Sequence, residues 1–191
     1  AYTALYINNT VPESTFFCGY DEKELKSLVY NNGDEDIRVF GSEFSPLFTF
    51  NEKILMIYEG NEGPVSDVRS LRGKELIDFY KLLSGGKMSF DDERRYVLRL
   101  KGINAGLSEV FGIYENNELI SVSAVSAMNE KYGLIGDVFT HPLFRCRGYS
   151  KRVLDASVSF ILSRGKIPYL RCEEKMYEHY KKAGFTYYGK L

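Results

Sequence analysis

The sequence predicts an α/β (α+β) fold, because segments patterned like strands alternate with segments patterned like amphipathic helices. Residues 134–139 form an apolar segment, which favours a buried strand. Shortly afterwards, apolar residues recur at the spacing of one helix face: Val153, Leu154, Val158, Ile161 and Leu162. With 44% hydrophobic and 27% charged residues among 191, the chain can bury a core and keep an ordinary polar surface.

Residues 1–65 are predicted to form a small N-terminal α/β segment, and residues 66–191 to form the main domain. Strands are expected at residues 3–7, 15–19, 37–40 and 54–58, with a helix after Asp21, a residue type that caps helix N-termini. The glycine- and proline-containing stretch 60–64 marks the boundary. The first segment holds too few apolar residues for a stable core, so we expect it to pack on the main domain.

Two helices are predicted to open the main domain. Ser70 is expected to cap the first, and Ser89, with Asp92 three residues later, is expected to cap the second. Their inward faces would carry Leu76, Phe79, Tyr80 and Leu83 in the first helix and Tyr96, Val97, Leu100 and Ile103 in the second.

The remaining elements of the main domain follow from turn residues and apolar runs. Strands at residues 110–114 and 119–127 are joined at Asn116 and Asn117, because asparagine tolerates the positive φ of a tight turn. After the long helix, we expect a strand at residues 168–172, a helix at 175–183 and a strand at 185–188.

A short loop between the strand at residues 134–139 and the long helix contains Arg145, Arg147 and Gly148. The first amides of a helix have no intrahelical acceptor and carry partial positive charge. Gly148 has no side chain, so a phosphate can approach the backbone, and the two arginines add charged donors. The loop therefore predicts an anion site, and we call residues 145–151 the anion cradle.

Two motifs in this part of the chain resemble those of the GNAT N-acetyltransferase superfamily. Arg145-x-x-Gly148-x-Ser150 resembles the family's acyl-CoA signature, which lies between its fourth strand and the following helix. Tyr180 followed by Gly184-Phe185 resembles the family's Tyr-x-x-x-Gly-Phe element. The resemblance covers residues 66–191 and implies a mixed, mostly antiparallel sheet flanked by helices.

The family usually has one more strand after the position of Tyr188. Three explanations are open: the core is shortened, the chain is cut, or an N-terminal strand fills the gap. The N-terminal segment would then extend the sheet or cover the acceptor site.

The resemblance also implies acetyl-CoA as the acyl donor. Its pantetheine arm would pair with the backbone of Val138, Phe139 and Thr140. Its pyrophosphate would bind the cradle, formed by Arg145, Cys146, Arg147, Gly148, Tyr149, Ser150 and Lys151. Tyr180 stands where the family often has a tyrosine that protonates the leaving thiolate, although core packing is a second interpretation.

An amine acceptor must lose a proton before it attacks, because an alkylammonium has a pKa of about 10.4 and is therefore protonated at neutral pH. Candidate bases are Asp137, Glu173 and Glu174. Strict alternation from Thr140 points Asp137 away from the side that Val138 faces, unless a bulge reverses it. Glu173 stands where many members of the family carry an asparagine that contacts the cofactor.

Charge and composition argue against several functional classes. A net charge of −1 argues against nucleic acid or an anionic membrane as the main partner. Three cysteines without framework spacing (Cys18, Cys146 and Cys172) indicate reduced thiols in a cytoplasmic protein. The two histidines predict no metal cluster; His141 lies beside the cradle, and His179 is expected on the outer face of its helix. No apolar run has membrane-spanning length, and no signal peptide is expected.

The preferred function is transfer of an acetyl group from acetyl-CoA to a small-molecule or peptide amine whose identity the sequence leaves open. The alternative is a non-catalytic acyl-CoA-binding or sensing domain, which would keep the cradle without a working acid and base. A structural module with a vacant cradle is a third interpretation. Tyr180 favours the first, and both a monomer and a homodimer stay open.

Overall fold

The structure is a computed structural model that describes residues 5–7, 15–17, 53–61, 63 and 67–190. The chain divides into two compact units, Ala1–Glu52 with Leu191 and Lys53–Lys190. In the first unit, β1 (Leu5–Ile7) pairs antiparallel with β2 (Thr15–Phe17), at two of the predicted strand positions. The predicted helix after Asp21 and the strand at residues 37–40 lie outside the described residues.

The second unit contains a seven-stranded sheet with four helices. Its strands are β3 (Ile54–Tyr58), β4 (Arg69–Ser70), β5 (Glu109–Glu115), β6 (Glu118–Met128), β7 (Tyr132–Thr140), β8 (Ile167–Cys172) and β9 (Phe185–Lys190). The helices are α1 (Glu75–Leu83), α2 (Phe90–Asn104), α3 (Tyr149–Leu162) and α4 (Tyr177–Lys182). The strand order is β4-β5-β6-β7-β8-β3-β9, and every pair is antiparallel except β7 with β8. The predicted mixed, mostly antiparallel sheet is confirmed.

Strand β3 precedes the predicted main domain in sequence and is nevertheless a member of its sheet. It lies between β8 and β9, with Ile54 opposite Cys172 on one side and Tyr58 opposite Phe185 on the other. Of the three explanations considered above, an N-terminal strand thus fills the gap. β3 belongs to the compact unit that begins at Lys53, although its sequence was assigned to the N-terminal segment. That the residues before Lys53 pack on this unit stays a prediction.

The two faces of the sheet carry different helices and separate cores. On one face, here called the α3 face, helices α3 and α4 pack against β3 and β5–β9 through Met56, Ile135, Leu154, Val158, Ile161, Leu170, Tyr180 and Phe185. On the other, the α1 face, helices α1 and α2 pack against β5 and β6 through Leu76, Phe79, Tyr80, Val110, Val122 and Ala124. Burial of these side chains stabilises each helix on its face of the sheet.

Of the two helix N-caps predicted in the main domain, one is confirmed and one is wrong. Ser89 and Asp92 form the predicted capping box at the start of α2, and Asn116 and Asn117 have the φ values of a tight turn, 50° and 66°. Ser70, however, lies in β4 and caps no helix. Helix α1 begins five residues later, where a carboxylate oxygen of Glu75 accepts the Arg72 amide at 3.0 Å. The acidic side chain of the first turn therefore replaces the expected serine cap.

Truncation of Met56 in β3 is expected to lower the free energy of unfolding by about 2–5 kcal/mol, because its side chain is fully buried between the sheet and the helices of the α3 face. Leu55, its neighbour on the opposite face, is only half-buried and serves as the matched control. Urea denaturation of Met56→Ala and Leu55→Ala measures both values. Equal and small losses would mean that β3 does not complete this core.

Candidate functional site

The parallel strands β7 and β8 pair over only part of their length. The pairing runs from Tyr132 opposite Ile167 to Ile135 opposite Leu170 and then stops. β7 continues to Thr140, paired only with β6, and β8 continues to Cys172, paired only with β3. The facing edges of the two strands therefore diverge at residues 136–140 and 171–172, and backbone groups there are open to an extended ligand.

A β-bulge lies in β7 where this opening begins. Gly136 stands opposite Ala124 and Phe139 opposite Val122, so β7 carries one extra residue, and Asp137 takes a φ of 50°. The Asp137 carboxylate points to the α1 face, where it forms an ion pair of 2.7 Å with Arg99 of α2. Val138 packs on the α3 face. The direction expected for Asp137 from strict alternation is therefore retained despite the bulge.

The anion cradle follows β7 directly. A short 3-10 turn, Pro142–Phe144, leads into two left-handed residues, Cys146 at φ 60° and Gly148 at φ 81°. In the described part of the chain, the first hydrogen bond of α3 is donated by the Arg152 amide to the Gly148 carbonyl at 3.3 Å. The amides of residues 146–151 come before it and have no backbone acceptor there. Six consecutive unpaired amides at a helix N-terminus make a strong anion-binding surface.

Both cradle arginines are exposed but are held by neighbouring groups. The Nε atom of Arg145 donates to the Thr140 carbonyl at 3.2 Å, and its guanidinium lies 5.7 Å from the ring of Phe139. The Arg147 guanidinium lies 5.5 Å from the ring of Phe144. Thr140 itself is buried, with its hydroxyl 2.8 Å from that of Ser121. The loop thus keeps both positive charges close to the end of β7.

Other cradle side chains have partners elsewhere, so their contribution to a ligand would come from the backbone. The Tyr149 hydroxyl donates to Glu115 at 2.9 Å, and Lys151 pairs with Asp155 at 2.6 Å. Ser150 differs, because its hydroxyl lies 3.3 Å from Nε2 of His179. His179 is exposed, in line with the expected outer face of its helix, and it also lies beside the cradle.

Tyr180 lies on the α3 face, within the core formed by α3, α4 and the sheet, and is 9% exposed. Its ring meets Phe185 and His179 edge-on, at 6.2 Å and 5.2 Å between centroids. Burial, with a smaller effect from Cys172, raises its pKa to about 12. The phenol therefore keeps its proton throughout the physiological range and can act as a donor.

Two of the remaining titratable candidates, Glu173 and His141, have hydrogen-bond or ion-pair partners. Glu173 pairs with Lys53 at 3.1 Å and with Lys175 at 2.5 Å. Hydrogen bonds from Lys175, and to a smaller extent from Lys53, hold the pKa of Glu173 below its usual range. Glu174 is exposed at the start of a 3-10 turn, Glu174–Met176. Nδ1 of His141 accepts the Leu143 amide at 3.4 Å inside the loop.

Sequence reasoning missed the role of Arg99. The α2 face predicted to point inward included Val97, which is 49% exposed, whereas the Arg99 side chain is 13% exposed and lies between Asp137 and the ring of Phe79. The bulge that orients Asp137 had a signal in the sequence, because a Gly-Asp pair inside an apolar strand favours a local break.

Two negative findings apply to the described residues. Among residues 53–61, 63 and 67–190 and the two short strands before them, no group of three His, Cys, Asp or Glu side chains could hold a metal ion. No helix in these stretches combines the length and apolar character needed to cross a membrane.

Comparison with solved structures shows where this fold recurs. A GCN5-related N-acetyltransferase-like protein from Streptococcus suis aligns over 99% of this chain and 80% of its own, with a TM-score of 0.62 and 14% identity. Glucosamine-6-phosphate N-acetyltransferase from Arabidopsis thaliana aligns over 64% and 92%, with a TM-score of 0.53 and 21% identity. A GNAT-family protein from Novosphingobium aromaticivorans aligns over 73% of this chain, with a TM-score of 0.58 and 14% identity, but over only 61% of its own length. Identities this low establish a shared fold.

Comparison with protein-family models assigns the chain to a family, which structural similarity at low identity does not do. A search of curated proteins gave no significant match. The family model for the acetyltransferase (GNAT) family matches residues 76–185, which is more than half of the chain and runs from α1 to the first residue of β9. The match includes the bulge, the anion cradle and Tyr180. This chain therefore belongs to the acetyltransferase (GNAT) family.

Proposed function

We propose that the protein is an N-acyltransferase that moves an acetyl group from acetyl-CoA directly to an amine. The observation that carries the proposal is the strand opening, because β7 leads from it directly into the anion cradle and β8 ends beside it at Cys172, which lies in the same core as Tyr180. An acyl donor held by its phosphates in the cradle would extend along the free edge of β7. Its thioester would then lie near the end of β8, close to Tyr180.

The cradle supports binding of the donor's phosphates. A Cβ atom built on Gly148 would meet nothing within 4 Å, so a phosphate has room at this position. The amides of residues 146–151, together with Arg145 and Arg147, would supply neutral and charged hydrogen bonds to it. Val138, Phe139 and Thr140 would supply backbone groups for the pantetheine arm.

Acyl transfer forms a bond from the amine nitrogen to the acyl carbon and breaks the bond from that carbon to sulfur. The leaving thiolate then needs a proton or a hydrogen bond, which the Tyr180 hydroxyl would donate. A thiol has an ordinary pKa of about 8.5, so complete proton transfer from a phenol with a pKa of about 12 is uphill. Tyr180 would therefore act mainly as a hydrogen-bond donor to the developing negative charge.

Asp137 is the carboxylate that we propose as acceptor of the amine's proton, through water. Its carboxylate lies on the α1 face, whereas the cradle helix and Tyr180 lie on the α3 face, so an amine that approached from the α1 face would meet Asp137 before the thioester. The two lysine partners of Glu173 hold its pKa below the usual range, which makes it a poorer base than an unpaired glutamate. Free thiols at Cys146 and Cys172 in the described chain favour a cytoplasmic location.

Loss of both cradle arginines, Arg145→Ala with Arg147→Ala, is expected to weaken acetyl-CoA binding by about 2–3 kcal/mol, since exposed charged hydrogen bonds contribute less than buried ones. Calorimetric titration measures the change. Unaltered affinity would place the phosphates elsewhere.

Gly148→Val is expected to abolish binding, because the new side chain fills the space for the phosphate and strains a backbone at φ 81°. Gly165 is the matched control: it follows α3 at φ 67°, and a Cβ there also meets nothing within 4 Å. Gly165→Val should lose similar stability in a melting curve and keep its affinity for acetyl-CoA. If both variants lost affinity equally, the loss would come from backbone strain and not from filling the space for the phosphate.

Tyr180→Phe is expected to lower kcat and kcat/KM alike by about 10²- to 10⁴-fold with little change in acetyl-CoA affinity, because only the hydroxyl is lost. The ratio of wild type to variant should stay constant from about pH 7 to about pH 10, since a phenol with a pKa of about 12 keeps its proton there. Tyr177→Phe, in the same helix, is the control. Thiol release with a panel of amines measures turnover, and full activity of Tyr180→Phe would remove it as the donor.

A further inference from the structure

The end of strand β3 packs directly on the turn that joins α4 to β9. The Glu59 amide donates to the Gly184 carbonyl at 3.1 Å, and the Gly184 amide donates to the Lys181 carbonyl in the last turn of α4, also at 3.1 Å. A Cβ atom built on Gly60 would lie 3.0 Å from the Cα atom of Gly184, so a side chain there would push the two backbones apart. Gly184 therefore connects the end of β3 to the helix that carries Tyr180.

Three aromatic rings continue this contact toward the site. Tyr58 stands opposite Phe185 in the register of β3 with β9, and the two rings meet edge-on at 5.2 Å between centroids. Phe185 is 1% exposed and meets Tyr180 edge-on at 6.2 Å. The Tyr58 hydroxyl donates to the Asn61 carbonyl at 2.6 Å, which fixes the far end of the Tyr58 ring. Tyr58 thus supports, from behind, the ring that contacts Tyr180.

The helix that carries Tyr180 is too short to fix this side chain by itself. α4 spans only Tyr177–Lys182, and helices shorter than about 12 residues are marginal without tertiary contacts. The three rings belong to one buried cluster on the α3 face, so close packing in this cluster determines where α4 lies. A displacement of about 1 Å at a reacting group can lower a rate by about 10²-fold, so the position of α4 matters for catalysis.

We propose that Tyr58 is a positioning residue for acyl transfer: through Phe185 and Gly184, its ring holds the Tyr180 hydroxyl in place beside the departing sulfur. The inference rests on the proposed function and adds to it a residue that precedes the matched family segment, because that match begins at residue 76. Strand β3 thereby serves the active site as well as the sheet.

Tyr58→Leu is expected to lower kcat by about 10- to 10²-fold with KM for acetyl-CoA nearly unchanged, because the anion cradle is intact while the Tyr180 hydroxyl is displaced. Tyr58→Phe keeps the ring and should recover most of the turnover. Turnover of the full-length protein is measured as CoA release from acetyl-CoA, with hydroxylamine and with the amine panel used for Tyr180→Phe. A wild-type kcat in Tyr58→Leu would overturn the proposal.

Phe111→Leu is the matched control. Phe111 belongs to the same buried cluster, is 9% exposed against 8% for Tyr58, and meets Phe160 edge-on at 5.6 Å. Four strands separate its strand, β5, from β9. Both leucine variants should lose similar stability in urea denaturation, but only Tyr58→Leu should lose turnover per folded molecule. An equal loss of turnover in both would mean general loosening of the core and would contradict a positioning role.

A double-mutant cycle tests whether Tyr58 acts through the hydroxyl of Tyr180. Tyr58→Leu added to Tyr180→Phe should lower kcat far less than Tyr58→Leu added to the wild type, because the hydroxyl is already absent. The same fold-loss in both backgrounds would show that Tyr58 acts independently of Tyr180, against the proposal.

A measurement without turnover separates failure of this inference from failure of the proposed function. In NMR spectra of protein with isotope-labelled tyrosine and bound CoA, the phenol signal of Tyr180 is the one that Tyr180→Phe lacks. We expect this signal to shift in Tyr58→Leu and to stay in place in Phe111→Leu. Full activity of Tyr180→Phe would reject Tyr180 as the hydrogen-bond donor, whereas an unshifted Tyr180 signal in Tyr58→Leu would reject Tyr58 as the residue that positions it.

Discussion

The site depends on where the parallel pairing of β7 and β8 ends. All other strand pairs of the large sheet are antiparallel, and this one stops at Ile135 and Leu170 while both strands continue. Each strand is held on its other side, β7 by β6 and β8 by β3, so the facing edges stay apart without collapsing. The sheet thereby keeps unpaired backbone N–H and C=O groups accessible to a ligand. In a flexible loop, such groups would form hydrogen bonds within the loop.

The bulge at Asp137 joins this opening to the rest of the molecule. A residue at φ 50° is strained unless its surroundings hold it, and here the ion pair with Arg99 ties it to α2. Arg99 in turn packs against Phe79 of α1. The position of helices α1 and α2 is therefore coupled to the geometry of β7.

The features predicted correctly from the sequence are those that depend on residues close together in the chain. The capping box of Ser89 and Asp92, the turn at Asn116 and Asn117, and the loop around Gly148 each depend on residues within a few positions of one another. The place of β3 was only one of three open possibilities, because its partners lie more than a hundred residues away. Arg99 was missed for a related reason. An arginine is expected to point to solvent unless an acidic partner, here Asp137, is known to be turned toward it.

The position of β3 also constrains how the chain reaches its folded state. Ile54–Tyr58 is an apolar, β-prone strand that precedes both of its neighbours in sequence, so during synthesis it leaves the ribosome long before β8 and β9. Until they are made, its edges are exposed and able to pair with other chains. The sheet closes only through contacts of high sequence separation, which form slowly. In the interval between synthesis of β3 and synthesis of β9, the unpaired edges of β3 therefore favour association with other chains.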